Sequence, residues 1–187
     1  MTITTQPTET KLITGEELYA MGDIGSCELI DGRIVEMTPA GGEHGYLELN
    51  IARELSIFVR RHKLGWVMTG EVGIFTRRNP DRVRGADVAF ISTEQADNRP
   101  RAGFLELAPA LVVEIISPSD RWTDINDKLE EYFAIGVPWV WLVEPKDETV
   151  RVYRSPTEMV KLGAEETITG EGILAEFRLP LAEIFAD

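Results

Sequence analysis

Residues 110–117, ALVVEIIS, constrain this chain more than any other segment. A near-continuous run of branched apolar residues is what a strand buried on both faces requires, because a half-buried strand would alternate apolar with polar. One residue interrupts the run. Strand alternation sets Glu114 on the face shared by Val112 and Ile116. A carboxylate in such a place is costly unless it is paired or bound to a cation. Two readings stand open: a structural ion pair, or a ligand.

Around this strand the patterning alternates helices with strands. TGEELYAMG reads as a short helix, with Thr14 as N-cap and Glu17 three residues on in capping-box spacing. CELIDGRIVEM reads as a hairpin folded on Asp31-Gly32, a type I′ signal. A helix follows over 44–62, then strands over 66–75 and 86–92 joined by the basic loop TRRNPDRVRG. After the 110–117 strand comes a helix near 123–135, stopped by Gly136 and Pro138, then strands over 138–145 and 149–154. Residues 1–14, Thr-rich and polar, read as a flexible N-terminal arm, and 15–187 as a single domain without internal repeats.

Charge narrows the partners. The 187 residues carry 19 Lys and Arg against 32 Asp and Glu, a net charge of −13, which disfavours a protein that coats nucleic acid non-specifically. The excess is uneven, with 10 basic against 13 acidic residues through Thr93 and 9 against 19 after it. Within 53–84, Arg53, Arg60, Arg61, Lys63, Arg77, Arg78, Arg82 and Arg84 oppose only Glu54, Glu71 and Asp81. That stretch reads either as solvated helix and hairpin ends or as an anion-facing edge. The lone Cys27 permits no internal disulfide and has no basic neighbour to activate it. No apolar run approaches the roughly 20 residues that span a bilayer, so a cytoplasmic protein without membrane contact is expected.

Further charges stand where packing asks for apolar groups. Asp87 heads the run Val88-Ala-Phe-Ile, and two carboxylates on adjacent strands make an oxygen-rich pocket that suits Mg²⁺. Lys128 borders the apolar stripe Ile125, Leu129, Tyr132 and Phe133 of its helix; its ammonium either snorkels outward or reaches inward to the two acids. His44 and Glu48 fall within the buried stripe of the first long helix, either as a core pair at i, i+4 or as a further acid offered to the site. Trp139 and Trp141 share a strand face, as core or as a homodimer interface. A serine or cysteine nucleophile fits poorly, since no G-x-S-x-G elbow exists and neither His44 nor His62 has a triad arrangement.

The order ELIDGRIVEM, a His-led helix, GADVAFIS, PALVVEIISPSD and DKLEEYFAIGVPWVWLVEP resembles the Uma restriction endonuclease family, within the PD-(D/E)XK nuclease-like superfamily. The resemblance runs over roughly 15–185. It implies an α/β (α+β) fold with a restriction endonuclease-like core, a mixed central β-sheet flanked by helices, here with an N-terminal β-hairpin. It places the motif Asp on Asp87 and the motif acid on Glu114. Ala86 stands where the superfamily has Pro, and Ile116 where it has Lys, so the lysine role passes to Lys128; Glu48 matches the acid that many members take from the first helix.

The function so implied is metal-dependent hydrolysis of DNA phosphodiester bonds. Asp87 and Glu114 would hold Mg²⁺ or Mn²⁺, Lys128 would assist the attacking water, and Glu48 would support a second water or ion. No organic cofactor is expected, and a homodimer is. The rival is a non-catalytic DNA- or protein-binding module on the same fold, which the acidic total and the missing strand lysine favour.

Overall fold

The structure is a computed structural model that describes residues 11–97 and 102–186. In chain order the elements are α1 (Gly15–Ala20), β1 (Cys27–Ile30), β2 (Arg33–Glu36), α2 (Gly42–His62), β3 (Gly65–Arg77), β4 (Arg82–Ser92), α3 (Thr93–Asp97), β5 (Leu111–Ile115), α4 (Trp122–Ala134), β6 (Val140–Glu144), β7 (Thr149–Ser155), β8 (Glu158–Leu162), β9 (Thr167–Thr169), β10 (Arg178–Pro180) and α5 (Leu181–Phe185). Local chemistry sets several boundaries. Thr14 and Glu17 close a reciprocal capping box on α1. Asp31 and Gly32 both take positive φ, 52° and 73°, as a type I′ turn requires. Lys63 ends α2 in the left-handed region.

The central sheet has eight strands in the order β2-β1-β4-β5-β6-β7-β8, with β3 also paired to β4. β5 is antiparallel to β4 and parallel to β6, and α4 makes the crossover between the parallel pair. The sheet is therefore mixed, with helices on both faces. Leu111, Val113 and Ile115 join Leu47, Ile51, Leu55 and Val59 of α2 in one core. Val112 joins Ile125, Leu129 and Tyr132 of α4 in the other. That two-sided burial is why the 110–117 run lacks polar alternation.

The feature that creates the site lies along one edge of β4. β3 occupies the opposite edge over nearly the whole strand. On this edge β1 pairs only through Leu29↔Val83, while β5 pairs from Val88↔Val113 to Phe90↔Leu111. Between those contacts, over residues 84–87, this edge of β4 has no strand partner, so the buried backbone groups it presents must be satisfied by side chains.

Several expectations are corrected. The basic loop over 76–85 shrinks to residues 78–81, and Arg82 and Arg84 are strand residues; alternation of apolar positions resumes only after them, which made them look like loop. The end of the expected arm is held. Ile13 donates its N–H to Gly32 O at 2.9 Å, and Lys11 pairs with Glu17; the remainder of that arm lies outside the described residues. Trp141 is 3% exposed and stacks on Phe177 at 6.0 Å, so the chain's own C-terminal segment covers the face read as an interface, and Trp139 packs beside it. Trp139 and Trp141 are thus taken up by the chain's own core. No helix among the described residues is long and apolar enough to cross a membrane.

Candidate functional site

The gap in the β4 edge opens into a cleft of about 500 Å³. Its floor includes Glu28, Asp87, Glu114 and Lys128; β2 supplies one wall through Val35, and the turn after β5 supplies another through Ser117 and Asp120.

Continuing the register of Val88↔Val113 would set Asp87 opposite Glu114. The ladder peels apart instead. Asp87 is 5% exposed, and its Oδ2 accepts the Ile115 N–H at 2.6 Å in place of a backbone partner. The same oxygen lies 3.3 Å from His44 Nε2, brought in by the first turns of α2. The bond to Asp87 raises the His44 pKa against the opposing effect of burial. His44 Nδ1 is buried and has no hydrogen-bond partner among the described residues. Glu48, one turn on, accepts the Gly70 N–H at 2.9 Å. His44, Glu48 and Asp87 each offer one ligand atom, and those atoms lie within 4.8 Å of one another.

Glu114 turns toward α4. Its Oε1 accepts the Tyr132 hydroxyl at 2.6 Å, and its Oε2 lies 3.2 Å from Lys128 Nζ. Burial pushes its carboxyl up to about 8, although Lys128 pulls the other way. Lys128 also donates to Gly85 O at 3.1 Å and pairs with Glu28 Oε1 at 2.9 Å. Burial works against its charge, but Glu114 and then Glu28 outweigh it and raise the ammonium above its ordinary range. Lys128, Glu114 and Asp87 therefore meet at one cleft, with the lysine turned inward. Glu48 lies beside Asp87 and His44. The plain His44–Glu48 pairing is replaced by His44–Asp87.

Much of the basic stretch, read as solvated ends or as an anion-facing edge, is committed to ion pairs within the chain. Arg77 pairs with Asp31, Arg78 with Glu16 and Asp81, Arg82 with Asp31 and Glu131, and Arg84 with Glu28 and Glu131. These cations neutralise the chain's own acids, which a count along the sequence cannot reveal. Arg60, Arg61 and Lys63 remain exposed at the end of α2, and Arg53 pairs with Glu54.

Three groups at the cleft escaped the sequence reading. Glu28 reads as the polar member of a hairpin strand yet is 3% exposed. Tyr132 reads as core, which it is, but its hydroxyl serves Glu114. Glu71 sits at a break in the β3–β4 register with φ 58°, a conformation rare outside glycine that often marks functional sites. Burial and then Asp87 raise its carboxyl. Its signal in the sequence is the flanking pair Gly70 and Gly73; a Cβ on Gly85 would overlap its carboxylate.

Comparison with known proteins finds similarity to a family model and to solved structures. A family model described as "Uma2: Putative restriction endonuclease" matches residues 16–182. Among solved structures, a crystal structure of "a putative nuclease belonging to DUF820" from Anabaena variabilis superposes with a TM-score of 0.77 at 19% identity, covering 93% of this chain and 98% of that one. At that identity the likeness shows the fold. No curated protein matches.

Proposed function

Because the chain belongs to the Uma2 family of putative restriction endonucleases, we propose that it is a metal-dependent endonuclease that hydrolyses DNA phosphodiester bonds. The observation that carries the reading is the inward Lys128 ammonium, 3.2 Å from Glu114 Oε2 in the cleft that opens at Asp87. A lysine stem crossing an apolar stripe to meet carboxylates has no packing advantage over an aliphatic residue there.

The donor set suits a divalent cation. Clustered carboxylate oxygens are hard ligands suited to Mg²⁺ or Mn²⁺, and the imidazole of His44 tilts the preference toward Mn²⁺. Bound there, the ion supplies Lewis-acid polarisation of a phosphate oxygen and a lowered pKa for water. Asp87 of β4 and Glu114 of β5 would hold it, with His44 and Glu48 beside Asp87. Burial raises the Glu114 carboxyl, so holding the ion there would favour its carboxylate form. Lys128 orients the attacking water and offsets negative charge building on the phosphorus oxygens. Tyr132 fixes the rotamer of Glu114 through its hydroxyl. Arg60, Arg61 and Lys63, with no ion-pair partner among the described residues, are the cations left to meet the DNA backbone.

The test is cleavage of supercoiled plasmid in Mg²⁺ or Mn²⁺ by the intact chain and by Asp87→Ala and Glu114→Ala. Each variant should lose at least about 10³-fold in rate while keeping its circular dichroism spectrum. Unchanged cleavage in either variant ends the proposal.

A further inference from the structure

Glu28 belongs to the ELIDG segment of the first hairpin and has no part in the chemistry above. It is nonetheless one of the most buried charges in the molecule. We infer that Glu28 is a positioning residue that seats the Lys128 ammonium, leaving Glu114 free to act as a ligand. The inference rests on the function proposed above, which gives Lys128 its task.

Both oxygens of Glu28 are committed. Oε1 accepts the Gly85 N–H at 3.1 Å and pairs with Lys128 Nζ at 2.9 Å; Oε2 accepts from Arg84 Nη1 at 2.8 Å. An ammonium has three N–H groups, and Lys128 directs them at Glu28, Gly85 O and Glu114. The first two partners are fixed by β1 and β4. Glu114 is the partner that a bound cation would reclaim. With Glu28 in place, Lys128 keeps a carboxylate when Glu114 turns to the ion. Without it, the flexible lysine stem would have only Glu114 to neutralise it and would compete for that ligand.

A purely structural role, neutralising Arg84, explains less. Glu131 already holds Arg84 with two bonds, Nε to Oε2 at 2.9 Å and Nη2 to Oε1 at 2.7 Å. Arg84 therefore has its counter-ion from α4. Its contact with Glu28 instead anchors the carboxylate, and burial, which alone would raise Glu28, is outweighed by Lys128 and then Arg84 so that the group stays ionised. The glycine at 85 fits the same account, because it offers its N–H to Glu28 and its carbonyl to Lys128 on the edge of β4 that lacks a strand neighbour.

Glu28→Gln and Glu131→Gln in the full chain separate the two roles, since Glu131 touches Arg82, Arg84 and Thr76 but not Lys128. Three readouts apply: plasmid cleavage, melting temperature, and the rate at which acetic anhydride modifies Lys128 relative to exposed Lys146, read by mass spectrometry. Glu28→Gln should lower kcat by about 10- to 100-fold. Its KM should stay within about threefold. Modification of Lys128 should rise about tenfold, as the ammonium loses one of its two counter-ions. Glu131→Gln should lose melting temperature at least as far and leave both cleavage and Lys128 labelling near the parent values. Glu28→Asp keeps the charge but draws it back by one methylene from Lys128 and Arg84 alike, so it carries the same labelling and cleavage expectation, judged against Glu131→Gln, if the Gln variant folds too weakly to assay. Parallel losses of activity in Glu28→Gln and Glu131→Gln, tracking melting temperature, overturn the inference, as does unchanged labelling of Lys128. If the parent protein cleaves no DNA, the proposed function falls, and the labelling comparison alone decides whether Glu28 seats the lysine.

Discussion

Two charged clusters meet along β4, and they are built to different balances. At one end Arg82 and Arg84 are locked to Asp31, Glu28 and Glu131, with Thr76 also donating to Glu131 at 2.7 Å. Burial would raise Glu131, but Arg84 outweighs it and holds the carboxyl below its ordinary range. Three residues further on, Asp87, Glu48 and Glu71 bear on one histidine, and Glu114 beside them meets Lys128. There burial wins: Glu114 rises to about 8, and Glu71 rises as well. The residue types are alike, and what differs is the supply of cations. The first cluster is closed and belongs to the fold, whereas the second keeps negative charge and an unpartnered His44 Nδ1 that packing alone does not account for.

The largest expected effect tests the closed end. Arg84→Met removes the cation common to Glu28 and Glu131 and leaves buried carboxylates underpaired, which should cost about 3–5 kcal/mol in urea unfolding. A loss under about 1 kcal/mol would mean that this cluster is no more structural than an exposed ion pair. Next comes the open end's appetite for a cation. Mn²⁺ at a hundred times its dissociation constant should stabilise the chain by about 2.7 kcal/mol, and Asp87→Asn should remove most of that shift in a thermal melt.

Glu114 gives a third, pH-dependent contrast. Its folded pKa, about 8, lies above the ordinary 4.5, so the stability that its protonated form contributes is present below about pH 4.5 and lost as pH rises toward 8. Glu114→Gln cannot ionise. It should melt higher than the parent at pH 8.5, by about 1–2 kcal/mol, and show no such gain at pH 5. Equal pH profiles for the two proteins would place Glu114 with the closed cluster.

Which of these clusters a reader of the sequence can find depends on how each departs from pattern. Glu114 is legible because a single carboxylate interrupts a five-residue apolar strand, and Asp87 and Lys128 because each sits at the edge of an apolar stripe. The sheet itself is legible for the same reason: its buried strands are continuous and its first turn, Asp31-Gly32, admits one geometry. The arginines are not legible. Arg82 and Arg84 alternate along β4 with Val83, but their partners come from β1, the hairpin turn and α4, up to 56 residues away. Glu28 is hidden by the same non-local pairing, since a strand residue between Cys27 and Leu29 reads as solvent-facing until β4 and α4 close over it. Glu71 is hidden by a backbone conformation that has no composition signal beyond nearby glycines.

The smallest expected effect decides on which side of Asp87 the cation sits. Glu48 Oε1 accepts the Gly70 N–H at 2.9 Å, and its carboxylate is one of three ligand groups whose atoms lie within 4.8 Å. Glu48→Gln keeps an oxygen for Gly70 and removes only the charge, so unfolding without metal should change by less than about 0.5 kcal/mol. If the ion rests against His44 and Glu48, calorimetric affinity for Mn²⁺ should fall about tenfold, roughly 1.4 kcal/mol. If affinity is unchanged in Glu48→Gln but lost in Glu114→Gln, the ion sits between Asp87 and Glu114. His44 then serves through its contact with Asp87, as an orienting group of the kind that ligands commonly have behind them. Either result keeps the open cluster as a cation site. Retained affinity in both variants would dissolve the contrast between the two ends of β4, because the negative charge at the cleft would then have to be balanced by Lys128 and His44 alone.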